Sequence, residues 1–341
     1  MSLARPSFLE RFREAMAELT PDWLEGRFLC AFSGGSDSTA LLSLLAQSLP
    51  KNQLLAFHLD HSLRPSSRQE AVETASMAAK IGVECLCERI DAQALAKRRG
   101  KGVEEAARAI RYELLDQHLN RWGGDWIVTA HHAEDLVETV ILKLARGVGP
   151  SSLVGIPAVN GKIIRPLLSF SKKEILAHLN DNALSWVDDP SNLDGRFKRN
   201  QVRKEIVPEI EKLNPAYLEA FRRASKLASA EEAFWENHLE ELQKKLVTVL
   251  DDGDYQLEVF ELMRLSLAEK RRLVGKVLRM VEIPKPLGGE PVSFASVDTL
   301  LKIAQQPGAG GVDLPGGRRV QWWGRFLRIG LASRYRAKIK A

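Results

Sequence analysis

The sequence of 341 residues contains little cysteine, and its three thiols are Cys30, Cys85 and Cys87. So few cysteines argue against a secreted domain held together by disulfides and favour a reducing compartment. Cys85 and Cys87 alternate on a predicted strand, and their spacing is not that of a zinc or iron–sulfur site. We therefore expect the cysteines to be core or surface residues.

Long apolar runs are also absent. The most apolar stretch, around 41–49, is too short to span a membrane and is interrupted by polar residues. Residues 1–19 carry charges every few positions and lack the apolar core of a signal peptide. We expect a cytoplasmic protein that does not enter a membrane, and the sequence leaves open whether it forms a homodimer.

Acidic residues are missing from the end of the chain. Eight basic residues and four aromatic ones follow Asp313, with no Asp or Glu among them. The basic residues are Arg318, Arg319, Arg325, Arg328, Arg334, Arg336, Lys338 and Lys340. Basic side chains interleaved with aromatics suit a polyanion that carries stackable bases. A solvated basic tail beside a small hydrophobic core explains the pattern equally well.

The first half of the sequence alternates short apolar runs with helical patterns. The predicted strands are 28–32, 54–58, 84–90 and 125–130, and the predicted helices are 39–48, 68–81, 103–121 and 133–146. This alternation predicts an α/β fold with a doubly wound, mainly parallel sheet. Ligands of such sheets bind beyond the carboxyl ends of the strands.

The second half has a different character. Helical patterns cover 216–245, 269–280 and 296–304, and a Gly/Pro turn at 314–317 separates two short alternating segments. We predict a catalytic domain over residues 1–214. We predict a smaller, mostly helical domain over 215–341 that ends in a small hairpin and binds the substrate.

The most specific motif is Ser33-Gly34-Gly35-Ser36-Asp37-Ser38, which lies between a predicted strand and a predicted helix. Two glycines at such a turn let the backbone approach an anion, and the helix N-terminus favours phosphate. The three serines add hydroxyl donors, and Asp37 can hold the magnesium that accompanies a nucleotide. The motif is neither a Walker A loop nor a dinucleotide fingerprint. A plain serine–glycine turn is the simpler alternative.

The loop 33–38, the segment 58–64 and the segment 131–135 all fall at the predicted carboxyl edge of the sheet, and a pair of arginines lies on a predicted helix. The second strand ends in a polar cluster of His58, Asp60, His61 and Arg64. This cluster could contact a ligand, and the alternative is that it binds a metal. Arg108 and Arg111 share a helix face, from which they could reach a phosphate or pair with nearby Glu104 or Glu105.

The stretch 129–139 carries a His and two carboxylates at helical spacing. His131, Asp135 and Glu138 stand at i, i+4 and i+7, so they share one face if a helix starts near His132. Such a face suits a cationic amine or magnesium. Acids that stabilise a first turn are the alternative, which explains Glu134 but not the facing His.

Three more segments follow, namely 165–168 (RPLL), 186–192 (WVDDPSN) and 197–203 (FKRNQVR). Asp188 and Asp189 could cap a turn, and Arg199 with Arg203 could line a phosphate channel.

Together these motifs resemble the PP-loop (N-type) ATP pyrophosphatase family, whose loop has the form SGGxDS. The forms HxDHxLR, ARxxRY, HHxDDQxET, RGxG, RPLL and WxDDxSN…FxRNxxR are similar to its tRNA(Ile)-lysidine synthetase branch, in order over residues 27–204. The chain departs from that pattern at Glu134 and Leu136. The resemblance implies an adenine nucleotide alpha hydrolase-like fold.

The resemblance also implies an ATP-dependent carbon–nitrogen ligase. The wobble cytidine of an isoleucine tRNA with a CAU anticodon would attack the α phosphorus of ATP and release pyrophosphate. Free L-lysine would then displace AMP at C2 to give lysidine, which changes codon reading from AUG to AUA. Another PP-loop tRNA-modifying enzyme, such as a thiolase, and a non-catalytic RNA-binding relative are the alternatives.

Site residues carried over from the resemblance fall into three groups. The loop residues Ser33 to Ser38 would hold pyrophosphate, with Asp37 on magnesium, while His58, Asp60 and Arg64 would lie against ATP. Arg111 would offset charge on the phosphorus, and His131 would orient or deprotonate the amine. Asp135 and Glu138 would bind lysine, and Arg199 and Arg203 would complete the substrate site.

Overall fold

A computed structural model of the chain describes residues 6–62, 67–100, 102–187, 198–283, 292–306, 308 and 310–334. The chain divides into two compact units, Met1–Ala230 and Glu231–Ala341. The division falls inside a long helix, α10 (Tyr217–Leu246), after residue 230 rather than after residue 214. No helix in the described ranges is both long and apolar enough to cross a bilayer.

The first unit is built on a six-stranded sheet with the order β3-β2-β1-β4-β6-β5. Its strands are β1 (Phe28–Ala31), β2 (Leu54–Asp60), β3 (Cys85–Arg89), β4 (Trp126–Val128), β5 (Val159–Asn160) and β6 (Ile163–Ile164). β1 lies at the centre, where Phe28 pairs with Leu54 on one side and Trp126 on the other. β5 runs antiparallel to β6, and the other strands are parallel. The predicted mainly parallel sheet is confirmed.

Helices cover both faces of this sheet. The helices of this unit are α1 (Phe8–Leu19), α2 (Ser36–Ala46), α3 (Ser67–Ile81), α4 (Ala92–Arg99), α5 (Val103–Trp122), α6 (Ala133–Ala145), α7 (Lys172–Asp181), α8 (Lys198–Gln201) and α9 (Val207–Leu213), of which α8 packs against α6. A π-helical turn, Val202–Ile206, joins α8 to α9. Phe28 and Cys30 pack with α2 and α7, whereas Leu29 packs with α5 on the opposite face. This alternation along β1 produces the two buried layers.

Local sequence signals account for the helix starts. Ser7 with Glu10 and Ser171 with Glu174 form capping boxes that begin α1 and α7. Short connections lead from β1 into α2 and from β4 into α6, while α7 follows β6, the neighbour of β4 in the sheet. The ends of β1, β2 and β4 therefore lead into one edge, where parallel sheets bind ligands.

The second unit combines helices with a five-stranded antiparallel sheet of order β7-β8-β11-β10-β9. Its remaining helices and strands are β7 (Val247–Val249), β8 (Tyr255–Glu258), α11 (Val259–Arg264), α12 (Leu267–Met280), α13 (Phe294–Ala304), β9 (Gly311–Leu314), β10 (Arg318–Trp323) and β11 (Phe326–Leu331). The turn at 315–317 joins β9 to β10. The sheet is larger than the predicted hairpin because β8 pairs with β11, a contact between distant parts of the sequence.

Candidate nucleotide and substrate site

The loop after β1 has a backbone that requires glycine at its second position, Gly34. Gly34 has φ +79°, and a Cβ there would lie 2.9 Å from Thr74 Oγ1. Gly35 is the N-cap of α2. Ser38 Oγ donates to the Gly35 carbonyl at 3.0 Å and accepts from the Ser33 amide at 3.2 Å. The loop is thus held by its own hydroxyls, and the N-terminus of α2 follows directly.

The first residues of α2 meet a lysine from another helix. Lys172 Nζ donates to Ser36 Oγ at 2.7 Å and to Asp37 Oδ1 at 2.5 Å. Lys172 is the first residue of α7, 135 positions away from Asp37 in the sequence. The ammonium group of Lys172 therefore lies against the loop motif, although no sequence motif indicated this contact.

The start of α6 carries a compact acid–imidazole group. The His132 imidazole is 4% exposed, and its Nδ1 donates to Glu134 Oε2 at 2.9 Å. Its Nε2 lies 3.8 Å from Asp37 Oδ2 and 3.6 Å from Asp135 Oδ2. The His132 amide donates to Asp135 Oδ2 at 3.0 Å, which caps the helix. His132 thereby connects the nucleotide loop to the carboxylates of α6.

Burial and charge oppose one another in this group. Burial lowers the pKa of His132, but the Glu134, Asp135 and Asp37 carboxylates outweigh it and raise that pKa above its usual value. Burial raises the pKa of Asp135, but His132 and Arg199 outweigh it and hold that pKa below its usual value. The arrangement therefore favours a charged imidazolium among ionised carboxylates.

Glu138 is fully buried and is held by two arginines. Its Oε2 accepts from Arg199 Nε at 2.6 Å, and its Oε1 accepts from Arg203 Nε at 2.6 Å. Arg199 Nη2 also donates to Asp135 Oδ1 at 2.7 Å. The guanidinium side chains stay 37% and 42% exposed. The two predicted groups, the carboxylates of α6 and the arginines of 199–203, form one network.

His131 lies beside this network. Its Nδ1 is 3.0 Å from Thr129 Oγ1. Burial lowers the pKa of His131 to about 4, helped by the nearby Arg165, Arg108 and Arg199 charges and opposed by Asp135. The imidazole of His131 is therefore neutral at pH 7.

A second polar group follows β2. His58 Nδ1 lies 3.0 Å from the Phe32 carbonyl, next to the loop. Asp60 is 6% exposed; its Oδ1 accepts from the Ser62 amide at 2.8 Å and its Oδ2 lies 3.4 Å from Arg89 Nε. The exposed Arg111 donates from Nη2 to His61 Nε2 at 3.0 Å. Burial, together with Arg111, lowers the pKa of His61 to about 4, so His61 accepts as a neutral ring.

The structure shows contacts for some of the predicted site residues and does not describe others. The predicted Arg64, Asp188 and Asp189 lie outside the described residues. The contacts above connect Asp37, Asp135, Glu138, Arg199 and Arg203, and they separately connect His61 with Arg111. Their roles stay predictions. Sequence reasoning missed His132 and Lys172, although the His131-His132 pair was a signal for the first.

Magnesium fits this edge through a single carboxylate. Among the residues that the structure describes, no group of three or more His, Cys, Asp and Glu side chains is arranged to hold a metal. Magnesium is usually bound by one or two carboxylates together with substrate phosphates and water. Asp37, at the first turn of α2 beside the loop, is the carboxylate that suits this mode.

Comparison with known proteins adds the family context. The PP-loop domain family matches residues 8–210. The tRNA(Ile)-lysidine synthase of Thermosipho africanus is 37% identical over 219 residues, which cover 64% of this chain and 51% of that protein. The enzyme of the same name from Bacillus subtilis is 30% identical over 298 residues, covering 84% and 62%. The chain thus spans between half and two thirds of the length of these relatives.

Among solved structures, the chain is similar to the U34-tRNA thiolase NcsA from Methanococcus maripaludis. The TM-score is 0.53 at 18% identity, and the match covers 64% of this chain and 78% of that one. At this identity the similarity concerns the fold alone.

Proposed function

The chain belongs to the PP-loop domain family, and on that premise we propose that it is an ATP-dependent ligase that joins lysine to a tRNA cytidine. The observation that carries the proposal is one connected edge, in which Asp37 of the phosphate loop reaches the Asp135–Glu138 carboxylates through His132. The relatives named tRNA(Ile)-lysidine synthase support the choice of reaction.

The proposed reaction has two steps. O2 of the wobble cytidine in an isoleucine tRNA with a CAU anticodon attacks the α phosphorus of ATP, and the bond to pyrophosphate breaks. The side-chain amine of lysine then attacks C2 and loses a proton, and AMP leaves. One ATP is consumed, and lysidine, AMP and pyrophosphate are formed.

The phosphate side of the site supports the first step. The Gly34–Gly35 backbone, the serine hydroxyls and the N-terminus of α2 would hold the departing pyrophosphate. Asp37 would hold magnesium, which neutralises phosphate charge when bound. His58 and Asp60 would lie against the nucleotide, and Arg111 would offset charge that develops on the phosphorus.

The carboxylate side of the site supports lysine binding. An amino acid carries an ammonium and a carboxylate, and this network offers partners for both. Asp135 and Glu138 would attract the ammonium groups, while the exposed faces of Arg199 and Arg203 would pair with the carboxylate. His131, a neutral ring at pH 7, would orient the attacking amine or accept its proton.

Binding of the RNA would depend on positive charge near the end of the chain. The cytidine must leave its stack to reach the pocket, so the RNA has to be gripped elsewhere. Basic residues after Asp313, with exposed Trp323 among them, are suited to that role. We propose residues 215–341 as the tRNA-binding domain.

Thiolation is the closest competing function, and cysteine placement argues against it. Cys30 is buried in the core against α2, while Cys85 and Cys87 are alternate residues of β3. Sulfur transfer needs thiols that converge on the nucleotide. A non-catalytic RNA-binding role does not account for the paired charges around Asp37 and Glu138.

One incubation tests the proposal. The protein is mixed with MgATP, radiolabelled lysine and a transcribed isoleucine tRNA with a CAU anticodon, and label on the RNA is counted. We expect stoichiometric labelling, and at least about 10³-fold slower labelling and pyrophosphate release for Asp37→Ala. A matched tRNA whose wobble base is not cytidine is the control. Labelling of both RNAs, or release of inorganic phosphate instead of pyrophosphate, contradicts the proposal.

A further inference from the structure

Lys172 is fixed in place by contacts on both sides of its backbone. Its amide donates to both carboxylate oxygens of Glu134 at 3.0 Å, which ties the start of α7 to the start of α6. Ser171 and Glu174 close a capping box around the same turn. Contacts within α7 and with the start of α6 therefore hold the backbone of Lys172, and they set the direction of its side chain.

The ammonium group ends at the phosphate loop. It lies 2.7 Å from Ser36 Oγ and 2.5 Å from Asp37 Oδ1, at the first two residues of α2. An ammonium has three N–H donors, and these contacts use two of them. The Lys172 side chain is 35% exposed, so a ligand can approach it.

Three sources of positive potential meet at this point. They are the ammonium of Lys172, the N-terminal turn of α2 and the backbone of the Gly34–Gly35 turn. A single carboxylate needs only one counter-ion, so pairing with Asp37 does not account for all three. A diphosphate, with its several negative charges, does.

We propose that Lys172 is a diphosphate-binding residue, which pairs with Asp37 in the free protein and donates to the pyrophosphate part of the nucleotide when it is bound. The inference rests on the proposed function, because it assumes that the loop binds ATP. It adds a cation from α7 to a loop that otherwise carries only backbone and hydroxyl donors.

Calorimetric titration with inorganic pyrophosphate in magnesium buffer tests this assignment on the full chain. We expect Lys172→Met to weaken binding at least about tenfold, the equivalent of about 1.4 kcal/mol. Lys172→Arg should restore most of the affinity because it keeps the charge. Lys173→Met is the matched control, since Lys173 is the next residue of α7 and is exposed. Its affinity should stay within about twofold of the wild type.

A second background separates direct binding from simple neutralisation of Asp37. If Lys172 only balances that carboxylate, its removal should have no effect in an Asp37→Asn protein, which is titrated with pyrophosphate in magnesium-free buffer because Asp37 is the residue proposed to hold magnesium. We expect the tenfold loss to persist there, and its disappearance would overturn the inference. The thermal unfolding midpoint of each variant checks the fold.

The outcomes also separate this inference from the proposed function, because pyrophosphate binding requires neither lysine nor RNA. Equal binding by the wild type and Lys172→Met overturns the role of Lys172 alone. A wild-type protein that binds no pyrophosphate overturns both.

Discussion

Each unit of the molecule contains a buried carboxylate held by two arginines. In the first unit, Glu138 meets Arg199 and Arg203. In the second, Asp254 is 1% exposed and accepts from Arg328 Nε and from Arg334 Nη1, both at 2.9 Å. The two groups have similar local chemistry.

Their surroundings differ. The network of Glu138 continues through Asp135 and His132 to Asp37 in the phosphate loop. The network of Asp254 continues to Asp252 and to the backbone of the turn between β7 and β8. These contacts fasten the turn to β11.

The Asp254 group is also packed too closely to take a ligand. A Cβ on Gly330 would lie 2.0 Å from Asp254 Oδ1, so the carboxylate rests directly on the backbone of β11. The comparison teaches that a buried ion pair is not by itself a functional signal, because its neighbours decide the role.

Replacing the buried carboxylates of Asp254 and Glu138 by amides should give the largest difference between the two units. Asp254→Asn removes the charge that the Arg328 and Arg334 guanidinium groups share, and we expect it to lower the free energy of unfolding of the second unit by about 3 kcal/mol. Glu138→Gln should lower the stability of the first unit by a similar amount and also weaken lysine binding at least about tenfold. Urea unfolding and calorimetric titration with lysine measure the two effects. Loss of lysine binding in Asp254→Asn would break the distinction.

The basic end of the chain provides a second test. Arg334 holds Asp254, whereas Arg336, Lys338 and Lys340 lie outside the described residues. We expect a triple change of those three to Gln to reduce the salt slope of tRNA binding by up to about three, without altering stability.

Arg334→Gln is the matched variant, and it should lower stability because Asp254 loses one of its two partners. The slope of log affinity against log salt concentration, together with urea unfolding, distinguishes the two. An unchanged slope in the triple variant would remove those residues from the RNA interface.

The pH dependence of stability gives the smallest expected difference between the units. Burial lowers the pKa values of four imidazoles in the first unit, those of His58, His61, His131 and His178, and the values for His61 and His131 fall to about 4. Those rings bind protons more readily in the unfolded chain, so their stabilisation is present above about pH 6.5 and is lost as the pH falls, toward about 4 for His61 and His131. His132 opposes them, because its pKa is raised.

The second unit should respond at lower pH. A hydrogen bond from His238 lowers the pKa of Glu269 to about 2, so that stabilisation is present above about 4.5 and is lost as the pH falls toward 2. Hydrogen exchange measured on peptides from each unit, and corrected for intrinsic rates, reports the stability of both units as the pH changes. We expect protection at pH 5 to fall, relative to pH 7, only in residues 6–230. Equal loss in both units would contradict the assignment.

Much of the first unit was predictable because its signals are local. The helices α3, α5 and α6 start within a residue of their predicted positions, since apolar periodicity and glycine stops mark them. The loop at 33–38 was readable because the left-handed backbone at Gly34 requires a glycine there.

The sheet of the second unit was only partly predictable. β7 and β8 have three and four residues, too short for a clear alternating pattern. The pairing of β7 with β8, and of β8 with β11, is settled by packing against the helical core of that unit. Similarly, Lys172 lies in an ordinary capping box, and nothing in its local sequence marks the side chain as part of the site.

The sequence by itself determined the four strands β1 to β4 and the helices α2, α3, α5 and α6 of the first unit, its phosphate loop and the positions of its charged motifs. Those features depend on backbone preferences and on spacing within a few turns. Only the tertiary structure decided that Lys172 joins Asp37, that Arg199 and Arg203 share Glu138, and that Asp254 supports the fold of the second unit. These partners are many tens of residues apart, so their meeting depends on how helices and strands pack, which side-chain identity alone does not encode.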